Sequence, residues 1–259
     1  MYEFDAGRRI RKIFMQDQWL ERRHYHIIGK AIPDATLFRD DEDRRVFLRD
    51  IVRDKLMIIF EIYVYCLCGN HFHLVVETLD PRDVRILIAN KKPRDLTPSD
   101  EQYLRGEIDY STYVYRAFNG AISAYARKYN HRHKRRGQLF VKPTLHGLTT
   151  KGAGFGVEFS RRLAAYVGLN YVKHHIAGVD EYFHWSSLCR RLYGIVDELR
   201  LFDFFGSKDD YLAFHHTYLK RYGTAFWAFD EDDLFANAEP RRYDRKRGAW
   251  ELGEWRPEP

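Results

Sequence analysis

The sequence predicts an α+β domain built on a small antiparallel sheet. Two observations carry this: a strand, a helix and a hairpin follow one another between Tyr25 and Thr78, and two amphipathic helices with a strand between them come later. "YHIIGKAI", Tyr25 to Ile32, reads as the first strand, and Pro33 closes it. "DDEDRRVFLRDIVRDKL" reads as a helix capped by Asp40 or Asp41, with acids in its first turn and Val46, Phe47, Ile51 and Val52 as its apolar stripe. "MIIFEIYVYCLC" and "HFHLVVET" read as two strands joined at Gly69-Asn70, a turn-forming pair. The stretch from 80 to 110, with Pro81, Pro93 and Pro98, reads as an irregular insertion. A helix follows from about Ser111 to Asn130, where Phe118, Ile122 and Tyr125 recur at helical spacing. "QLFVKPTLHGL" reads as a strand with Pro143 at a bulge or edge, and "GVEFSRRLAAYVGLNYVKHHIAG" as a helix ending at Gly178. This β-α-β-β-α-β-α order is the ferredoxin-like arrangement, whose third strand is central. Residues 1–20 are expected to form an N-terminal arm, 21–190 the domain, and 191–259 a mostly helical extension with a loosely ordered tail.

The composition is that of a globular chain: 259 residues, 45% hydrophobic and 16% aromatic. Its three cysteines, Cys66, Cys68 and Cys189, make no even disulfide framework. The first twenty residues are too charged for a signal peptide, and no apolar run approaches the ~18 residues of a membrane span. The expectation is a cytoplasmic protein with no membrane partner. The net charge of +6 is unevenly spread. "YARKYNHRHKRRG" holds Arg127, Lys128, Arg132, Lys134, Arg135 and Arg136 without an acid, interleaved with Tyr125, Tyr129, His131 and His133. Such a stretch suits a phosphate backbone with unpaired bases stacked on the rings; alone, it equally describes a solvated helix end.

Chemistry is concentrated in two places. In "NHFHLVVE" strand alternation turns Phe72, Leu74 and Val76 to one face and His71, His73 and Val75 to the other. Same-face neighbours lie roughly 6–7 Å apart, so both imidazoles can reach one metal. In the last helix Tyr166 and Asn170 are one turn apart and project together. Over the open face of the sheet they would add a phenol and an amide oxygen, a set that suits Mg²⁺ or Mn²⁺ completed by water and a phosphate. A tyrosine is a poor nucleophile unless cations favour its phenolate and polarise the attacked phosphate. The chemistry expected is phosphodiester cleavage through a covalent phosphotyrosine. No Gly-rich phosphate loop is present, so no nucleotide cofactor is expected.

"NHFHLVVE" resembles the His-hydrophobic-His motif of the HUH single-strand endonucleases. "YHIIGKAI", "LFRDDEDRRVFLRDI", "YARKYNHRHKRRGQLF" and "YVGLNYVKHHIAGVDEYFHWSS" are similar, in that order, to the tyrosine transposases associated with repetitive extragenic palindromes (REP), over roughly residues 20 to 190. The resemblance implies an HUH endonuclease fold in which His71, His73 and Asn170 ligate Mg²⁺ or Mn²⁺ and Tyr166 is the single nucleophile. It implies a 5′-phosphotyrosine intermediate, a free 3′-hydroxyl, and single-stranded DNA beside a hairpin as substrate. The chain departs from the pattern at Cys68-Gly69, where relatives usually have Met-Pro, and at Asn170-Tyr171, where they usually have Asn-Pro. Monomer and homodimer both stay open, because some relatives swap the tyrosine helix between subunits. Three other readings also stand: a domesticated hairpin-binding protein without cleavage, a replication initiator on the same fold, and a structural zinc site at Cys66, Cys68, His71 and His73. Tyr125 and Tyr129 read as packing or base-stacking residues. His24 and His26 read as structural or DNA-contacting, and the pairs His174-His175 and His215-His216 and the "HWSS" segment are given no catalytic role.

Overall fold

A computed structural model describes residues 19–141, 144–148, 157–178 and 183–187, with short pieces between 207 and 250. Its centre is a four-stranded antiparallel sheet in the order β2-β3-β1-β4, formed by β1 (His24–Lys30), β2 (Phe60–Leu67), β3 (His71–Thr78) and β4 (Thr144–Leu148). The strand that carries the two histidines is therefore an inner one. The hairpin pairs Cys66 with His73 and Leu67 with Phe72, and the Cys68 N–H donates to the His71 carbonyl at 3.0 Å. β4 is an edge strand, and earlier in the expected strand Phe140 makes an isolated bridge to Ala31.

Helix α1 (Asp41–Val46) starts at Asp40, whose side chain accepts from the Asp43 N–H, and runs directly into a π-helical turn, Phe47–Arg53. The helix expected as one regular element is thus re-pitched halfway, and Phe47, Ile51 and Val52 are still delivered to the core. The stretch from 80 to 110 is a correction to the reading as irregular. It holds α2 (Pro81–Ala89) and α3 (Pro98–Leu104), each with proline at its start. Asp80 caps α2, and Thr97 with Asp100 forms a reciprocal capping box on α3. Proline is a breaker inside a helix but well placed in its first turn, where its missing N–H would have no helical partner.

The long helix α4 (Tyr110–Arg132) covers one face of the sheet together with the π-helical turn. Phe47, Phe72, Phe118, Tyr125 and Leu74 fill the layer between them, and Trp19 packs on Tyr25, Phe60 and Phe118. Gly29, opposite Phe72 in the ladder, is required by close approach: a Cβ there would overlap the Phe72 ring.

The other face takes α5 (Val157–Gly168), packed on β2 and β3. The single helix expected to reach Gly178 breaks at Leu169 and resumes as the short α6 (Asn170–Lys173). The Ser186 hydroxyl donates to the Gly168 carbonyl at 2.6 Å, which satisfies one of the acceptors that the break exposes. Ser186 also bridges Cys66, and Leu67 N–H donates to the Trp185 carbonyl, so residues 185–187 extend the sheet beyond β2. Among the described residues no helix is long and apolar enough to cross a membrane. The expected N-terminal arm lies outside them except for its last residues, as does the C-terminal extension apart from short pieces such as the ladder of Tyr243–Asp244 with Ala249–Trp250.

Candidate functional site

The strand alternation of β3 delivers two unlike faces. Phe72, Leu74 and Val76 are buried in the apolar layer, while His71 and His73 stand on the opposite side with ring centroids 5.1 Å apart. Helix α5 brings Tyr166 to that side, its ring 5.8 Å from His73 and 6.3 Å from His26, edge-on to both. One residue past the break, Asn170 places Oδ1 3.0 Å from His71 Nε2. His71, His73, Tyr166 and Asn170 come together within one chain and are all buried, at 5%, 0%, 1% and 0% exposure.

The imidazoles are held from behind. His71 Nδ1 lies 2.7 Å from Asn70 Oδ1, and His73 Nδ1 lies 2.9 Å from His26 Nε2. Anchoring one ring nitrogen in this way fixes ring orientation and leaves the other as the natural ligand atom. Burial holds the His73 pKa well below its ordinary 6.5, and neighbouring positive charge on His26 and His71 acts in the same direction. A neutral imidazole is the form that binds metal. His174 stacks edge-on against His71 at 4.4 Å, and burial, then His71, pulls its pKa down to about 4. Cys68 Sγ lies 3.5 Å from Asn170 Oδ1 and 3.9 Å from Cys66 Sγ. Contact with Cys66 is the largest cause that brings the Cys68 thiol down to about 6, against the upward push of burial, with His71 helping.

Two imidazoles and an amide oxygen facing one another are a donor set suited to a divalent cation, and the amide itself supports the fit. Asn170 is fully buried and directs its oxygen at His71 and Cys68, while its NH₂ has no hydrogen-bond partner among the described residues. No group of three or more His, Cys, Asp or Glu side chains among the described residues is arranged to hold a metal. The closed zinc site considered at Cys66, Cys68, His71 and His73 is thus not formed as a four-residue cage, although the hairpin does place Cys66 opposite His73.

Three residues here escaped the sequence reading. His26, read as structural or DNA-contacting, is fully buried and braces His73 from β1; its place two residues after His24 was visible, but the β1–β3 register was not. Lys173 donates from Nζ to the Tyr166 hydroxyl at 3.2 Å, with its ammonium 5.1 Å from the ring centre. The spacing of seven residues from Tyr166 is a two-turn signal that could have found it. His174, given no role, touches His71.

The basic stretch ends α4 and divides in two. Arg132 is bonded to Asp40 and Asp43, where His133 also meets the buried Asp43, and Lys128 pairs with Asp50. Arg132, first among its causes, holds the Asp40 carboxyl down at about 2. Arg135 folds back on Asn130 and on the Gln138 carbonyl. Arg127, Lys134 and Arg136 point to solvent. Tyr125 and Tyr129 are core residues whose hydroxyls donate to the Leu37 and Thr36 carbonyls.

No family model matches the chain, and no curated protein does. Among solved structures, a REP-associated tyrosine transposase bound to a REP hairpin is similar with a TM-score of 0.39 and 12% identity, over 76% of this chain and 94% of that one. So distant a likeness assigns no function to this chain.

Proposed function

We propose that the protein is a metal-dependent, single-tyrosine endonuclease and strand transferase acting on single-stranded DNA beside a hairpin, on a ferredoxin-like HUH fold. The observation that supports it is the convergence of His71, His73, Asn170 and Tyr166 between β3 and α5, on the sheet face opposite α4. In this reading His71, His73 and Asn170 hold Mg²⁺ or Mn²⁺, which when bound supplies Lewis-acid polarisation of the scissile phosphate. Lys173, donating to the Tyr166 hydroxyl at 3.2 Å, favours the phenolate over the phenol. The Tyr166 oxygen attacks phosphorus, the Oη–P bond forms as the P–O3′ bond breaks, and the departing oxygen takes up a proton to become a 3′-hydroxyl. The 5′-phosphotyrosine keeps the ester energy, so a 3′-hydroxyl from another strand reverses the step and no nucleotide cofactor is consumed. In this reading Tyr166, which meets His73 of the same chain, acts in cis. Arg127, Lys134 and Arg136 track the DNA backbone, while Lys128, Arg132 and Arg135 shape the end of α4 that presents them.

A second reading, a hairpin-binding protein that does not cut, is favoured by burial, since Tyr166 is only 1% exposed. One experiment separates the two. Labelled hairpin oligonucleotides with single-stranded flanks are incubated with Mg²⁺ or Mn²⁺ and either wild type or Tyr166→Phe. Cleavage predicts an SDS-resistant, metal-dependent adduct that Tyr166→Phe abolishes. Tight binding with no adduct under either metal establishes the binding protein instead.

A further inference from the structure

Tyr166 lies on α5, whereas Asn170 and Lys173 lie on α6, so the groups that meet at the histidine face are divided by the break at Leu169. In an unbroken helix the Gly168 carbonyl accepts from the N–H four residues on, that of Val172. Here the Val172 N–H donates to the Leu169 carbonyl at 2.9 Å, which closes a tighter turn. The Gly168 carbonyl accepts instead from the Ser186 hydroxyl at 2.6 Å. Tightening the turn in this way advances each side chain by roughly 20° more about the axis. The turn therefore sets the direction in which Asn170 and Lys173 leave it.

Ser186 is itself held by the strand beside the histidines. It bridges Cys66, which stands opposite His73 in the ladder, and the Leu67 N–H donates to the Trp185 carbonyl at 3.0 Å. Trp185 donates from Nε1 to Asp41 Oδ1 at 2.8 Å. The Ser187 hydroxyl accepts from the Tyr65 N–H at 3.0 Å and donates to the Tyr65 carbonyl at 3.2 Å. Two adjacent serines, both fully buried, thus use their hydroxyls differently. Ser187 ties the segment to β2, and Ser186 ties it to the carbonyl that stands between Tyr166 and Asn170.

We infer that Ser186 is a positioning residue of the reaction: by holding the Gly168 carbonyl it fixes the angle of α6 to α5. That angle places Asn170 Oδ1 3.0 Å from His71 Nε2 and Lys173 Nζ 3.2 Å from the Tyr166 hydroxyl. The inference rests on the role proposed for Tyr166 and extends it to a segment that touches none of the reacting groups. Without the hydroxyl, the Gly168 carbonyl is a buried acceptor that has lost its donor, which is unfavourable. The nearest replacement is the Val172 N–H, its regular helical partner. Recovering that bond straightens the helix and turns Asn170 and Lys173 away from His71 and Tyr166.

The test compares Ser186→Ala with Ser187→Ala in the full chain, since both remove one buried hydroxyl bonded to a backbone carbonyl. Three quantities are read: the urea midpoint, the single-turnover rate of adduct formation on a saturating hairpin oligonucleotide with Mn²⁺, and amide hydrogen exchange by mass spectrometry. Both variants should lower the midpoint by similar amounts. Ser186→Ala should slow adduct formation by about tenfold or more at unchanged DNA affinity, and change exchange across residues 169–173. Ser187→Ala should keep the rate near that of wild type and change exchange in β2. Equal rate losses in the two variants, or an unchanged rate in Ser186→Ala, overturn the positioning role and leave the nuclease reading standing. A wild-type chain that forms no adduct overturns that reading instead, and exchange then decides alone. A change across 169–173 confined to Ser186→Ala supports the role of Ser186 in setting the turn, and no change there contradicts it.

Discussion

The two faces of β3 follow the same alternation and do opposite things. Toward α4, Phe72, Leu74 and Val76 meet Phe47, Phe118 and Tyr125, and every group there is explained by burying apolar surface. Toward α5, His71 and His73 are just as buried, yet they meet Tyr166, Asn170, Cys68, His26 and His174. Burying that many polar groups costs free energy unless each is satisfied, so packing alone does not account for this face. A residue's burial therefore does not separate core from site; the chemistry of its neighbours does. The same holds for the tyrosines. Tyr125 donates to a backbone carbonyl and sits among rings, whereas Tyr166 accepts from an ammonium and faces two imidazoles.

Substitution of the two tyrosines gives the largest contrast. Tyr166→Phe is expected to lower DNA cleavage by at least about 10⁴-fold with little change in stability, while Tyr125→Phe leaves cleavage near wild type and costs about 1 kcal/mol through its lost hydrogen bond. Gel assays of adduct formation and urea melts check both. The faces are compared next. Phe72→Ala should cost about 3–5 kcal/mol in a urea melt, and Gly29→Ala about 1–3 kcal/mol through overlap with the Phe72 ring. His71→Ala should cost only about 1 kcal/mol, because it removes a polar group whose burial is itself unfavourable, while abolishing metal uptake by equilibrium dialysis.

The histidine face should also show in the pH dependence of the metal-free protein. The folded chain holds His73 well below 6.5 and His174 down at about 4, so below pH 6.5 the unfolded chain binds protons that the folded one refuses. Stability is then full above that pH and falls as pH drops from about 6.5 toward about 4. The urea midpoint measured with chelator should decline across this window, less steeply in His174→Phe; a flat profile would show that the imidazoles are not desolvated. The smallest effect is at the end of α4. Arg132→Ala should lower the urea midpoint only slightly, since its partners include the buried Asp43 but the guanidinium itself is exposed to screening by water. Lys134→Ala with Arg136→Ala should leave melts unchanged and weaken single-strand binding with a shallower salt dependence.

Much of this was legible in the sequence because it depends on local periodicity. The strand alternation at His71 and His73, the Gly69-Asn70 hairpin and the one-turn spacing of Tyr166 and Asn170 are each written in a few consecutive residues. What was missed depends on register or on position within an element. His26 is paired to His73 only through the β1–β3 ladder. Pro81 and Pro98 read as interruptions because their role as first-turn residues depends on the caps Asp80 and Thr97 before them. The break at Leu169 is stabilised by Ser186 from a distant segment, which no helical periodicity reveals. The charge of the basic stretch was visible, but not that Arg132 and Lys128 are taken up by the acids of the preceding helical segment.

The central claim is that Tyr166 becomes covalently joined to DNA at the histidine face. Its most direct test is mass spectrometry of protease-digested wild-type protein after reaction with a hairpin oligonucleotide and Mn²⁺. The account predicts a nucleotide-phosphate adduct on the peptide containing Tyr166. An adduct on any other tyrosine, or none under conditions where the hairpin is bound, would contradict it.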